Sequence, residues 1–301
     1  MTALTGPALS DWAPTCSLAA LAARAELLAT VRAFFRDRGV MEVQTGVIGA
    51  ATVTEPAVES IAVPGLGYLQ TSPEYPMKRL LAAGAPSIYQ LGPVFRAGEA
   101  GRRHNPEFTM LEWYRLGFDD RQLMDEVAAL VAVALGPGTV HHITYAEVVA
   151  RAPADVEVQA AGGLSDRERL DQRLSLGLDA LPRGRWFVTD YPADQAALAR
   201  RQPYDPEVAA RFELVVDGLE IANGYWELAD PVEQRARFER DRALRRAAGQ
   251  PVPEIDERLL AAIEHGLPEC AGVALGFDRL LMLKLGAQSL REVIPFPIDV
   301  A

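Results

Sequence analysis

The segment Arg96–Phe108, reading RAGEAGRRHNPEF, sets Arg96, Arg102 and Arg103 beside Glu99, His104 and Asn105. A guanidinium presents a planar fork of donors that fits phosphate oxygens in pairs, and an aromatic ring next to it, here Phe108, can stack on a base. Beyond the loop, Glu112 and Tyr114 alternate with Leu111 and Trp113, so on a strand they share one face. A second acidic group lies in FELVVDGLEIANGYWEL: Glu213, Glu220 and Glu227, with Ile221, Asn223 and Tyr225 between them. Carboxylates inside apolar strands are disfavoured unless paired or bound to a cation. Glu213 and Glu220 are hard oxygen donors suited to Mg²⁺, an ion that keeps waters and bridges to phosphates. Charges on an edge strand would read the same way.

Two further places carry weaker signals. Glu74 follows Ser72 and Pro73 at a helix start, where a carboxylate also suits the helix dipole. In GVALGFDRL, residues 272–280, Gly276 opens a helix whose first turn holds Arg279, a cation at the positive helix end that calls for an anionic partner. No G-x-G-x-x-G follows a strand and no P-loop lysine occurs, so phosphates would need another cradle.

The elements that must position these groups follow from periodicity. Leu18, Leu21, Ala25, Leu28, Val31 and Phe35 recur at helical spacing over 18–38, with Gly39 as the C-cap. A short strand is expected at 40–43 and another at 68–71. Ser72 reads as an N-cap with Pro73 at the first helical position, the helix running to about Ala83. Strands at 87–90 with 94–96, and at 109–116, form a hairpin around the basic loop. Helices are expected at 123–135, 231–248, 256–265 and 277–285, weaker ones at 145–151 and 166–179, and strands at 186–189, 211–216, 219–222 and 271–275. Central strands that arrive as hairpins imply an α+β fold with a central antiparallel sheet flanked by helices.

Length and composition are those of a globular chain: 301 residues, 49% hydrophobic, 24% charged, two cysteines and no 18-residue apolar run. Residues 1–16 read as a loose tail without the features of a secretory signal, and a cytoplasmic protein is expected. The net charge of −11 opposes contact with a phosphate backbone.

In order along the chain, Gly39 to Thr45, Phe95-Arg96 with Arg103 to Glu112, Glu220 to Leu228, and Gly272 to Arg279 resemble motif 1, motif 2, the lysine-reading segment and motif 3 of lysyl-tRNA synthetases. The likeness covers nearly the whole chain. Within that class II family it is similar to the short branch, the elongation factor P lysyltransferases. Few residues precede the first helix, and Ala274 stands where the full synthetases carry a glycine. The resemblance implies a class II catalytic domain over 18–301 after a tail at 1–17, a variable insertion at 137–185, no anticodon-binding domain, and a homodimer. It also implies ATP, Mg²⁺, lysine or β-lysine as substrate, elongation factor P as protein acceptor, and no tRNA. By matched position, Arg96 and Arg279 are catalytic. Arg96, Glu99, Arg102, Arg103, His104, Asn105, Phe108, Glu220, Ile221, Gly276 and Arg279 bind ATP. Ser72, Pro73, Glu74, Glu112, Tyr114, Asn223, Tyr225, Glu227 and Ala274 surround the amino acid, and Glu213 and Glu220 carry the metal.

The chain departs from the pattern at Gly46, where motif 1 has proline, and at Ala97-Gly98-Glu99, which replaces Asn-Glu. Pro76 lies in the helix after Glu74, where an N–H donor would be expected. Two other readings keep part of the picture: transfer to a different amine acceptor, and a non-catalytic paralogue that senses an amino acid.

Overall fold

A computed structural model describes residues 12–153 and 166–301. Helix α1 (Leu18–Arg36) starts where the Ser17 hydroxyl accepts the Ala20 N–H. Its buried stripe is Ala20, Leu27, Val31, Phe34 and Phe35, whereas Leu18 is 79% exposed, so the stripe is rotated from the expected one. After α1 come β1 (Met41–Glu42), β2 (Ile48–Gly49), β3 (Ala62–Val63) and β4 (Gly67–Leu69), then α2 (Glu74–Ala82). The hairpin β5 (Ile88–Phe95) and β6 (Glu107–Leu116) follows, and then α3 (Asp120–Leu135). The middle of the chain holds β7 (Val140–Thr144), α4 (Tyr145–Arg151), α5 (Asp166–Asp179), β8 (Arg185–Thr189), β9 (Tyr191–Pro192), β10 (Arg201–Gln202) and β11 (Asp205–Ala209). The last part is β12 (Arg211–Val216), β13 (Leu219–Trp226), α6 (Pro231–Ala247), α7 (Glu257–Gly266), β14 (Cys270–Gly276) and α8 (Phe277–Leu285).

Eight strands form one sheet in the order β1-β5-β6-β14-β13-β12-β8-β7. Pairing is antiparallel from β5 to β8, but β1 with β5 and β7 with β8 are parallel, so the expected antiparallel sheet is mixed at both rims. Parallel neighbours need a crossover. The small sheet β2-β4-β3 with α2 supplies the first, and α4 and α5 lie in the second. The small sheet of β9 to β11 and strand β7 gave no sequence signal, being short or half exposed.

The two faces of the sheet have different fates. One carries Trp113, Leu111, Val273, Leu275, Phe212 and Leu214 into a core with α1, α3 and α8. Phe35 stacks on Tyr89 there at 4.4 Å and meets Trp113 edge-on at 5.3 Å. Each such side chain fully buried is worth about 1.5–3 kcal/mol. The opposite face is covered partly by α2, α6 and α7 through Tyr75, Leu81, Phe238, Leu259 and Ile263, and the rest of it is open.

Local details adjust the sequence reading. Helix α2 begins at Glu74, with Pro73 in the cap position, and the Ser72 hydroxyl accepts the Glu74 N–H at 3.0 Å. Its first helical bond runs from the Met77 N–H to the Pro73 carbonyl, so Pro76 lies among the first residues, whose N–H groups have no partner in any helix. The tail is not loose to its end: Thr15 donates through its N–H to the Pro295 carbonyl at 2.9 Å, and Cys16 is buried. Residues 1–11 of that tail, and 154–165 of the expected insertion, lie outside the described residues.

Candidate active site

Period-two alternation on five neighbouring strands sets the open face. The registers run Ile88, Tyr114, Gly272, Tyr225, Arg211 in one transverse row and Gln90, Glu112, Ala274, Asn223, Glu213 in the next. Substrate-type side chains from residues far apart in sequence thus become lateral neighbours. Gly272 is required in its row: a Cβ there would meet the Tyr114 ring at 2.3 Å and Glu227 Oε1 at 2.6 Å. In the adjoining row the Ala274 methyl sits between Glu112 and Asn223.

Plain alternation would send Glu220 to the helix-covered face. The β12–β13 register instead shifts: Leu214 pairs with Ala222 and Val215 with Glu220, leaving Ile221 as the extra residue of a bulge. Glu220 is thereby returned to the face of Asn223 and Glu213, where it opens onto the cavity. Glu220 is exposed through the cavity mouth, yet enough protein is packed around it that desolvation, then Glu213, raises its pKa to about 7, against the pull of Arg279, Arg211 and Arg96. Glu213 is bound to Arg211 at 2.5 Å. No group of three or more His, Cys, Asp or Glu side chains forms a cage among the described residues. Glu220, a hard carboxylate open to the cavity beside a basic rim, suits a magnesium ion whose other ligands are water and phosphate, whereas Glu213 is engaged by Arg211.

One end of the cavity is acidic and deeply buried. Glu112 is 2% exposed; the Ser72 hydroxyl donates to one of its oxygens at 2.7 Å and the Tyr114 hydroxyl to the other at 2.8 Å. Burial, and then the neighbouring Glu74, push its pKa up to about 8. Glu227, 1% exposed, is raised to about 7 by burial, with Lys78 pulling the other way. Lys78 is wholly buried; its Nζ donates to Glu74 Oε1 at 2.7 Å and lies 2.5 Å from Glu227 Oε2. Asn223 Oδ1 and Glu227 Oε1 have no hydrogen-bond partner among the described residues, so acceptors face this end with donors lacking. Unsatisfied buried acceptors cost free energy until a ligand supplies donors.

The other end is basic. Arg96, at the end of β5, lies 5.3 Å from the Phe108 ring centre, and its Nε donates to the Thr71 carbonyl at 3.4 Å. Arg279, in the first turn of α8, donates to the Glu220 carbonyl at 2.8 Å and to His104 Nε2 at 2.8 Å. His104 accepts that bond as a neutral ring, since burial and then Arg279 lower its pKa. Gly98 has φ +74, a conformation that a glutamate would strain, and Glu99 one residue on lies 3.9 Å from Arg96. Asp278 anchors this end from below: it accepts the Thr109 N–H at 2.7 Å and an Arg24 N–H at 2.5 Å.

A single cavity joins both ends and is bordered by all but three of the expected residues. Pro73 is buried behind the helix start, Arg102 is exposed at the hairpin tip, and Glu213 lies behind Arg211. Asn105 borders the cavity, but its amide is engaged by the Glu107 carbonyl and the Ile298 N–H. Sequence reasoning missed Lys78, Gln234 and Arg211. Lys78 stands four residues after Glu74, an ion-pair spacing that could have drawn attention to it. Gln234 borders the cavity fully buried, with neither amide atom partnered among the described residues, and nothing local in the sequence marks it. The strap over 53–58 was also missed; Arg245 of α6 donates to the carbonyls of Thr54, Glu55 and Val58 and holds it against the cavity.

Comparison with known proteins gives one consistent picture. A family model described as tRNA synthetases class II (D, K and N) matches residues 11–300. The elongation factor P–(R)-β-lysine ligase of Vibrio cholerae is 47% identical over 97% of this chain and 99% of its own length. The ligases of the same name from Vibrio vulnificus and Edwardsiella ictaluri are each 46% identical, over 97% of this chain and 99% of theirs.

Proposed function

Because the chain belongs to the class II tRNA synthetases of the D, K and N group, we propose that it activates lysine or β-lysine with ATP and transfers it to a lysine side chain of elongation factor P. The observation that carries this reading is one cavity with guanidinium groups at one end and three carboxyls at the other, Glu112 and Glu227 buried and Glu74 half-buried. A nucleoside triphosphate and a diamino acid are the chemical complements of those ends. The ligases named above supply the acceptor and the preference for (R)-β-lysine.

In the first step a substrate carboxylate oxygen forms a bond to the α-phosphorus as the bond to the β-phosphate bridge breaks, and pyrophosphate leaves. No protein nucleophile takes part. Arg96 and Arg279 hold phosphate oxygens and offset the charge that develops on them, with Arg103 at the outer phosphates, and Phe108 stacks on the adenine. This is positioning plus electrostatics. Glu220 with Glu213 would hold Mg²⁺, which neutralises phosphate charge when bound. Glu74, Glu112, Glu227 and Asn223 fix the two ammonium groups, and the Ala274 methyl narrows the space between Glu112 and Asn223, favouring a substrate whose amine has moved along the chain. In the second step a neutral acceptor amine attacks the acyl carbonyl, AMP leaves and a proton is released.

We read the domain as one catalytic unit over 18–301, acting as a cytoplasmic homodimer without tRNA. No helix among the described residues is long and apolar enough to cross a membrane. The deciding experiment is ATP–pyrophosphate exchange with α-lysine, each β-lysine enantiomer and no amino acid, followed by mass analysis of elongation factor P. Exchange that depends on a diamino acid, strongest with (R)-β-lysine, and a matching mass gain on the acceptor are expected. Folded protein that exchanges with none of them would refute the proposal.

A further inference from the structure

We infer that Lys78 is a resident ammonium that sets the charge of the amino-acid pocket to match a substrate with two ammonium groups. The inference rests on the reading above that the substrate is a lysine-like diamino acid. Lysine is almost never fully enclosed unless paired, yet Lys78 is 0% exposed. Its two partners come from different elements, Glu74 from its own helix α2 and Glu227 from the exit of β13, at 2.7 and 2.5 Å. Both partners border the cavity and Lys78 does not, so it reaches the substrate only through them and is a positioning residue.

The third carboxyl, Glu112, is held by the Ser72 and Tyr114 hydroxyls and by no cation among the described residues. Glu55, Asp194 and Asp241 also border the cavity and are the same in every variant compared below, and Arg211 is paired with Glu213. The Cys270 thiol of β14 is kept protonated by burial, and Arg200 donates to the Glu227 carbonyl while pairing outward with Glu269. When all three carboxyls are ionised, Lys78 cancels one and leaves two negative charges, as many as the ammonium groups of the substrate. With no lysine there, the surplus charge could be relieved only by keeping a proton on a carboxyl, because an unpaired buried charge is costly.

Charge matching and simple mechanical support predict opposite outcomes for one pair of variants. Glu74→Gln leaves one net negative charge, and adding Lys78→Met restores two. By calorimetric titration at pH 7 the double variant should bind lysine or β-lysine about tenfold more tightly than Glu74→Gln alone, a factor worth ~1.4 kcal/mol, with ATP affinity equal in both. Weaker binding by the double variant overturns the inference, since that is what loss of a mere support would give. The pair Glu227→Gln and Glu227→Gln/Lys78→Met repeats the comparison should the first fail to fold. The unaltered enzyme offers a third check: 2-aminohexanoate, which lacks the second ammonium, should bind about 100-fold more weakly than lysine, and equal affinity would also overturn it. Folded wild-type protein that binds no diamino acid removes the proposed function and this inference together. Normal wild-type binding with the variants moving the wrong way removes this inference alone.

Discussion

Arg96 reaches the cavity from the last turn of backbone before the basic loop, and its ring neighbour Phe108 begins the return strand. Removing its side chain leaves every core contact in place, so Arg96→Ala should fold normally. It should lose about 10²–10³ in exchange rate, the usual cost of one preorganised contact to developing charge, as steady-state exchange kinetics would reveal. A second consequence lies in the acidic end, where Glu112 and Glu227 have pKa values raised to about 8 and about 7, chiefly by burial. The empty folded protein therefore holds protons that the unfolded chain releases from about pH 4.3 upward. Stability contributed by these groups falls as pH rises from there towards 8. Two ammonium groups favour the ionised carboxylates, so diamino-acid affinity should climb over pH 6 to 8 and binding near pH 7 should release protons. Titration calorimetry in two buffers of different ionisation enthalpy tests this, and a heat independent of buffer would contradict it.

At the scale of elements, the strap over 53–58 depends on one guanidinium of α6. Arg245 is 4% exposed and gives three bonds of 2.6–2.8 Å to its carbonyls. Arg245→Met should destabilise the protein by about 3 kcal/mol, because buried carbonyls lose charged donors. It should also open the strap to protease cleavage, which denaturant titration and limited proteolysis would register. Much of the element order was legible in advance: the hairpin around the basic loop, strand Arg211–Val216 and helix Phe277–Leu285 all stand where periodicity put them. Alternation on β6 correctly paired Glu112 with Tyr114. The bulge at Ile221 was not legible, because period-two reasoning has no term for an inserted residue, and it is the bulge that turns Glu220 to the open face. Lys78 was passed over for a related reason: a lysine on an amphipathic helix reads as solvated until the helix is seen packed between two acidic side chains.

For the whole molecule, a net charge of −11 sets the field that a large partner meets. Arg96, Arg103 and Arg279 border the cavity, and the acidic charge of the molecule as a whole opposes the approach of a phosphate backbone. Gel-shift and charging assays at physiological salt should find no tRNA binding and no aminoacylated tRNA. A shifted band with lysine tRNA would overturn this.

Strand β14, Cys270–Gly276, lies between β6 and β13 at the middle of the large sheet, although it is among the last strands to be synthesised. Until the ribosome has delivered it, the growing polypeptide owns two half-sheets whose inner edges have nothing to pair with. A message cut short before that strand would therefore yield two sticky halves and no partial enzyme, because the rows that read the amino acid cross the missing strand at Gly272 and Ala274.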